Sequence, residues 1–371
     1  MRGELVRPIV IAAGGTGGHF FPAEALGTEL AARGHRVALM TDRRSRGQDS
    51  PAFAGREVFV LRGGGIAGRG ARRALLGAAA LGAGTAQART ALTRLNASAI
   101  VGFGGYPSVP PVLASRLVRP RPRVILHEQN AVLGRANRLL ARFADRIALG
   151  MQRTALLPAR PEAIVTGNPV RPEIVSLAGR AYAPPTADGP IRVLVTGGSQ
   201  GARVFSDVLP QAIRLLPEAL RARLRLAQQC RPEDLDRARA AYAGMGVEAE
   251  LSPFFSDMAQ RLASAHFVVA RAGASTVAEL AVVGVPALLI PFPHAIDNHQ
   301  FGNAEAVGAA VLKQADVERR PQLLADALVQ RLLDPAGLAA QARATASYGI
   351  PDAARRLADV VEQAVAQEIS A

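Results

Sequence analysis

PIRVLVTGGSQGARVFSDVL, residues 190–209, repeats the layout of PIVIAAGGTGGHFFPAEAL, residues 8–26. Each copy reads as an unbroken apolar run, a glycine turn and an amphipathic helix. An apolar run bounded by glycines, without polar alternation, marks a strand buried on both faces, as in a parallel sheet covered by helices. Gly14 and Gly197 stand about half the chain apart, too far for a solenoid repeat and right for two similar domains. The fold class is therefore α/β, with two similar α/β domains. A chain of 371 residues exceeds one ordinary domain, and 49% hydrophobic residues can fill two cores. SLAGRAYAPPTADGP, residues 176–190, has the Ala, Gly and Pro content of a linker. The expected domains are 1–175 and 191–349, with 350–371 a final helix packing back on the first.

Outward from the two copies, Val37–Thr41, Glu57–Leu61, Ala99–Val101 and Arg123–Leu126 read as strands of the first half. The second half continues with strands 223–229, 247–251 and Phe267–Ala270. The final helix carries Ala354, Leu357, Ala358, Val361 and Val365 at helical spacing.

Ligands of open α/β sheets bind at the carboxyl ends of strands, so the residues just past each strand matter most. In RAGASTVAELAVVGVPALLIPFPHAIDNHQFGNA, 271–304, Gly273 makes a turn and Ser275 or Thr276 can cap the next helix. Val277, Leu280 and Ala281 pack that helix and Gly284 ends it. Free N–H groups at a helix start attract phosphate, and Glu279, one turn in, is placed to hold the two hydroxyls of a ribose. The loop 291–300 brings His294, Asp297, Asn298, His299 and Gln300 to the same edge. A further glycine turn, GFGGYPS (102–108), follows a strand. His127-Glu128-Gln129-Asn130 ends another, where four polar side chains are costly unless partnered. TGNPVR (166–171) closes the first domain with Asn168 and Arg171 at a hinge.

Several classes are excluded. The dinucleotide fingerprint fails because Phe20 holds the place of its third glycine, and GGSQGA at 197–202 fits no better. No GK[ST] follows either turn, so neither is a P-loop. Cys230 is the sole cysteine, which excludes a disulfide framework. No run of about 18 apolar residues could span a bilayer, and Pro8 with the following glycines breaks any signal-peptide core; a cytoplasmic protein is expected. The net charge is +14, with Lys313 the sole lysine among 44 basic residues. Such a balance suits anionic surfaces or phosphorylated substrates. Aromatics are 4% and Trp is absent, so stacking platforms for nucleic acid are scarce and no nucleic-acid partner is expected. In 62–95, Arg69, Arg72 and Arg73 lead into Leu75, Leu76 and Leu81, and Arg89 and Arg94 close the helix. A basic cluster beside an apolar face is the make-up of an interfacial anchor; the alternative is a packing helix whose small residues lie close to a sheet.

GGTGGHFFPA, GFGGYPS, HEQN, GNPVR, GGSQGA, RAGASTVAE and PFPHAIDNHQFGNA occur in one order over nearly the whole chain. In this the chain closely resembles the MurG family of UDP-N-acetylglucosamine:undecaprenyl-diphospho-muramoyl-pentapeptide N-acetylglucosaminyltransferases. The resemblance implies a GT-B fold, two Rossmann-like α/β/α domains facing each other across a cleft. It implies an inverting transfer of N-acetylglucosamine from UDP-N-acetylglucosamine to the C4 hydroxyl of the lipid-linked acceptor, lipid I, giving lipid II for peptidoglycan. No cofactor is required. It further implies a peripheral place on the cytoplasmic face of the membrane, an anionic lipid surface as partner, and other cell-wall synthesis and division proteins as candidate partners.

Carried over residue by residue, Ser199, with Gln200 beside it, and the backbone from Ala274 through Ser275 and Thr276 would hold the donor diphosphate. Glu279 would take the ribose, Phe255 would face uracil through its backbone, and Gln300, Asn130 and Arg171 would contact the donor sugar or diphosphate. Gly14, Gly15, Gly104, Gly105 and Tyr106 would line the acceptor side. Thr16, Gly17 and Gly18 border that side and are counted with the donor contacts. The membrane patch maps onto 66–94, with Arg69, Arg72, Arg73, Leu75 and Leu76 as contacts. This chain has Leu, Ala and Gly there where the family often has aromatics, so shallow insertion is expected.

An inverting transfer needs one base for the acceptor hydroxyl proton and stabilisation of the leaving diphosphate. His19 is the expected base, since an imidazole suits proton removal near neutral pH. Glu128 is its rival, also ending a strand. His294, Asp297 and His299 could ligate a metal, but a polar loop explains them equally well, and no metal is assigned. A sugar-nucleotide epimerase of related fold and a non-enzymatic basic binding protein are the other classes weighed.

Overall fold

The computed structural model describes residues 7–14, 17–43, 50–62, 71–198 and 201–369. It divides into two units, one holding the chain up to Arg171 together with Asp352 onward, the other Pro172–Pro351. The division falls at 171/172 rather than 175/176, and the segment expected as a linker belongs to the second unit. Physical ties account for this. Pro172–Val175 is a short helix whose Ile174 is fully buried. Tyr182 donates from its hydroxyl to His266 O at 2.7 Å, and Arg223 donates to Thr186 O at 2.7 Å.

In the first unit, β1 (Ile9–Ala12), β2 (Val37–Asp42), β3 (Glu57–Leu61), β4 (Ala99–Gly102), β5 (Arg123–Glu128), β6 (Arg146–Leu149) and β7 (Ala163–Val165) form a seven-stranded sheet. The order is β3-β2-β1-β4-β5-β6-β7, with β1 parallel to both neighbours: Ile9 lies opposite Val37 on one side and Ala99 on the other. Alternation along β1 sends Val10 and Ala12 to one core and Ile9 and Ile11 to the other. The first core is covered by the helices Ala71–Leu95 and Gly105–Ala114, the second by Gly17–Ala32 and Ala353–Ile369.

The final helix buries Ala353, Leu357, Ala358, Val360, Val361 and Ala364, with Ala354 only half-buried. Each Leu or Val so covered contributes roughly 1.5–3 kcal/mol. Arg33 fastens it, donating to Asp359 at 2.7 Å, Glu362 at 2.6 Å and Arg355 O at 3.0 Å, while His35 meets Glu362 at 2.6 Å. The helix Ala71–Leu95 is packed along only part of its length. Its later turns bury Ala88, Ala91, Leu92 and Leu95, and Gly84 lies so near Arg62 O that a Cβ there would stand 2.3 Å away. Its earlier turns leave Leu75 72% and Leu76 61% exposed.

The second unit repeats the plan. β8 (Ile191–Thr196), β9 (Leu224–Gln229), β10 (Glu248–Ser252), β11 (Phe267–Ala270), β12 (Ala287–Leu289) and β13 (Ala310–Val311) form a parallel sheet in the order β10-β9-β8-β11-β12-β13. Ile191, Val193 and Val195 pack on Val204, Phe205, Val208 and Leu209 of the helix Arg203–Arg214. In both sheets the order reverses beside the opening strand, between β1 and β4 and between β8 and β11. Crevices at such switch points are where open α/β sheets take ligands.

Candidate active site

At the first switch point, the end of β1 is packed so closely that a Cβ on Gly14 would stand 2.8 Å from Pro107 Cγ and 3.1 Å from Thr41 Oγ1. The helix that follows begins at Gly17, so Gly18 and His19 lie on its first turn. After β4, Gly104 and Gly105 adopt φ of 78° and 65°, a region open chiefly to glycine. Ser108 then ties the next helix to the sheet, its hydroxyl donating to Ala12 O at 3.1 Å and Gly104 O at 3.0 Å. Tyr106, half-buried, is on that helix's first turn.

β5 runs two residues beyond the expected Leu126, so His127 and Glu128 are its last members. Glu128 is 2% exposed. One carboxyl oxygen accepts from Asn130 N at 3.1 Å and Asn130 Nδ2 at 3.0 Å; the other accepts from Gly134 N at 2.8 Å and Asn137 Nδ2 at 2.9 Å. Two bonds on each oxygen hold the loop 130–137 and orient Asn130. Gln129, also buried, reaches His19: its Oε1 is 3.0 Å from His19 Nδ1. Its Nε2 donates to Phe103 O at 3.1 Å and to His127 Nδ1 at 3.1 Å. His127 meets Gly167 O at 3.2 Å through Nε2, and burial lowers its pKa to about 4. Four residues on, the Arg171 guanidinium lies 5.4 Å from the Phe21 ring centre, on the helix that carries His19.

The second switch point relies on backbone. A Cβ on Gly197 would stand 2.3 Å from Ala202 N, while Gly198 and Gly201 hold φ of 77° and 67°. Past β11, the helix Ala274–Val283 has Gly273 as its N-cap, which corrects the expectation that Ser275 or Thr276 caps it. Both lie inside the first turn. Gly273 has no side chain to close the helix start, so a ligand can approach the N–H groups of Ala274, Ser275 and Thr276. Glu279 is half-buried one turn further on. Gly284 ends the helix in the left-handed region, φ 72°, its N–H donating to Leu280 O at 2.9 Å.

Two loops complete this edge. After β12, Gln300 Oε1 accepts from Phe292 N at 2.9 Å, which turns the amide NH2 outward as a donor. Asp297 and Asn298 both sit at positive φ, 52° and 54°, an arrangement these short polar residues tolerate best. After β10, Phe255 is 4% exposed. The Arg261 guanidinium covers its ring at 3.9 Å, bonds Asp257 at 2.8 Å and bridges Glu250 at 2.7 Å and 2.8 Å.

Thus Gly14, Gly17, Gly18, His19, Gly104, Gly105, Tyr106, Glu128, Asn130 and Arg171 belong to the first unit, and Phe255, Ala274, Ser275, Thr276, Glu279 and Gln300 to the second. Gly15, Thr16, Arg69, Ser199 and Gln200 lie outside the described residues, as do the side chains of Arg72 and Arg73. Sequence reasoning assigned no role to Arg271. It is 7% exposed and donates to Ile290 O at 2.9 Å, Pro291 O at 3.1 Å and Gln314 at 2.6 Å, holding the start of loop 291–300. Burial lowers its pKa to about 10. An arginine directly after an apolar strand was the available signal. Among the described residues, no three His, Cys, Asp or Glu side chains are grouped to hold a metal ion. A cavity of about 460 Å³ lies apart from these loops, on the face of β8–β10, where Arg225 pairs with Glu248 and Arg261 with Glu250.

Residues 9–149 match the glycosyltransferase family 28 N-terminal domain and residues 192–357 the glycosyltransferase family 28 C-terminal domain. The chain is 56% identical over 368 residues to the UDP-N-acetylglucosamine–N-acetylmuramyl-(pentapeptide) pyrophosphoryl-undecaprenol N-acetylglucosamine transferase of Granulibacter bethesdensis, covering 98% of this chain and 95% of that one. It belongs to the MurG family. A second MurG-type transferase, from Acidiphilium cryptum, is 53% identical with both chains covered completely. The crystal structure of Acinetobacter baumannii MurG superposes with a TM-score of 0.76 at 28% identity, covering 96% of this chain and 99% of that one. The fold is accordingly GT-B, two parallel-sheet domains of family 28.

Proposed function

We infer that this MurG-family chain transfers N-acetylglucosamine from UDP-N-acetylglucosamine to the C4 hydroxyl of undecaprenyl-diphospho-N-acetylmuramoyl-pentapeptide, with inversion and without a cofactor. Full-length identity to transferases of that name carries the reading. The second unit takes the donor: Ala274–Thr276 N–H groups receive the diphosphate, Glu279 the ribose hydroxyls, the Phe255 backbone the uracil, and the Gln300 NH2 a sugar oxygen. Backbone donors aimed at the diphosphate stabilise charge that grows as the bond to sugar breaks. The first unit takes the acceptor along Gly14, Gly104, Gly105 and Tyr106. His19 removes the hydroxyl proton there. It is favoured over Glu128 because both Glu128 oxygens are occupied by N–H donors from its own loop. Labelled UDP-N-acetylglucosamine supplied with a lipid I analogue should yield the disaccharide, and failure to form it would sink the assignment.

The enzyme works, on this reading, at the cytoplasmic face of the membrane. No helix among the described residues is long and apolar enough to cross it. Exposed Leu75 and Leu76 lie at the start of a helix rich in arginine, and each arginine near an anionic surface contributes about 1 kcal/mol. Changing Arg69, Arg72 and Arg73 to Gln should release the protein from anionic vesicles, and salt should weaken binding of the parent. Equal binding to neutral vesicles would exclude the anchor.

A further inference from the structure

We infer that Gln129 and His127 are positioning residues that fix the tautomer of His19, leaving its lone pair on Nε2 to take the acceptor hydroxyl proton. The inference rests on reading His19 as the base. Two main-chain carbonyls, Gly167 O and Phe103 O, anchor the arrangement, and a carbonyl can only accept. His127 Nε2 lies 3.2 Å from Gly167 O, so Nε2 carries the ring proton. Burial holds His127 at a pKa of about 4, so the ring is neutral near pH 7 and Nδ1 is a bare acceptor.

Gln129 Nε2 faces that Nδ1 at 3.1 Å and Phe103 O at 3.1 Å. Rotating the amide by half a turn would set its oxygen against both acceptors in a site where Gln129 is 1% exposed, and an unmatched buried polar pair is costly. The orientation is therefore fixed with Oε1 towards His19 Nδ1 at 3.0 Å. An amide oxygen only accepts, so His19 Nδ1 must donate. A neutral imidazole has one ring proton, and the other nitrogen, Nε2, keeps the lone pair. One orientation thus passes from Gly167 O through two buried side chains to the half-buried His19. A glutamine suits the middle position because its amide presents a donor to one partner and an acceptor to the other.

The test is nitrogen NMR of the full chain carrying labelled imidazoles, combined with a double-mutant cycle on turnover. Wild-type His19 should show its proton on Nδ1. Gln129→Leu should lower kcat about 10- to 10³-fold, within the cost of a misplaced tautomer in other His-dependent enzymes, with UDP affinity unchanged. In a His19→Ala background the same substitution should change kcat less than about threefold, because residues acting as one unit are not additive. A wild-type proton on Nε2, or fold-losses that multiply, would overturn the inference. Full kcat in His19→Ala would instead overturn the base reading, and with it the purpose assigned to Gln129, while the wild-type spectrum would still report the tautomer. The spectrum needs no variant, so a misfolded Gln129→Leu protein does not spare the inference.

Discussion

The two switch points share a strand order and differ in what they are made of. Beside β1, three side chains, His19 on one segment and His127 and Gln129 on another, are joined in one line of buried or half-buried hydrogen bonds. Beside β8, the described groups are chiefly glycines and the open start of a helix. Side chains with two faces can hold and move a proton; backbone amides fixed by a helix can only receive negative charge. One topology therefore carries two chemistries, decided by the few residues past each strand.

The sharpest break in that comparison comes from His19→Ala. Losing a general base should reduce kcat by about 10²–10⁴ while UDP-sugar binding stays near normal. If Glu128→Gln behaves that way and His19→Ala mainly weakens acceptor binding, the assignment of the base is reversed. The next effect is on stability in acid. Above about pH 6.5 the His127 ring is neutral in folded and unfolded chains alike. From there down to about pH 4 only the unfolded chain takes the proton. Stability should fall on acidification by on the order of 3 kcal/mol from this residue, seen as a lower urea midpoint at acid pH. A His127→Gln protein with the same pH dependence as the parent would deny His127 that role.

Glycine substitutions sharpen the contrast further. An Ala at position 197 meets backbone at 2.3 Å, whereas one at position 14 meets a proline side-chain carbon at 2.8 Å. Gly197→Ala should cost about 1–3 kcal/mol by overpacking and abolish tight UDP binding, with Gly14→Ala milder for UDP. Isothermal titration with UDP separates them, and equal losses would erase the distinction. The smallest expected change is Glu279→Ala. Loss of a charged hydrogen bond of roughly 1.5–3 kcal/mol should raise the donor KM about tenfold or more and leave acceptor KM alone. An unchanged donor KM would remove Glu279 from the nucleotide site.

Much of this plan was legible in the sequence because it is local. The paired strand–glycine–helix segments at 8–26 and 190–209 reappear as the central strands of two sheets in one order. HEQN marked a site because four polar residues at a buried strand end need partners. Which partners they find was not legible. Gly167 meets His127 only because β7 joins β6 at the sheet's edge, and Gly134 and Asn137 reach Glu128 only once the chain turns back after β5. The helix cap falls at Gly273 rather than at the expected Ser275 or Thr276 for a local reason: both are good caps, but Gly273 already leaves the strand in an extended conformation, φ −65° and ψ 144°. The sequence left open whether the helix from Ala71 packs or stays exposed, because only the fold decides that its later turns, with Ala88, Leu92 and Leu95, are buried while Leu75 and Leu76 are not.

The helix Ala353–Ile369 also orders events in time. Protein synthesis delivers the first sheet before the second unit, and the helix that covers its Ile9 and Ile11 face only after that unit. The second unit is contiguous and can close on itself as it emerges; the first must wait with an apolar face open. A nascent chain stopped before residue 353 thus leaves one core of the first unit uncovered, and the unit begun first closes after the second.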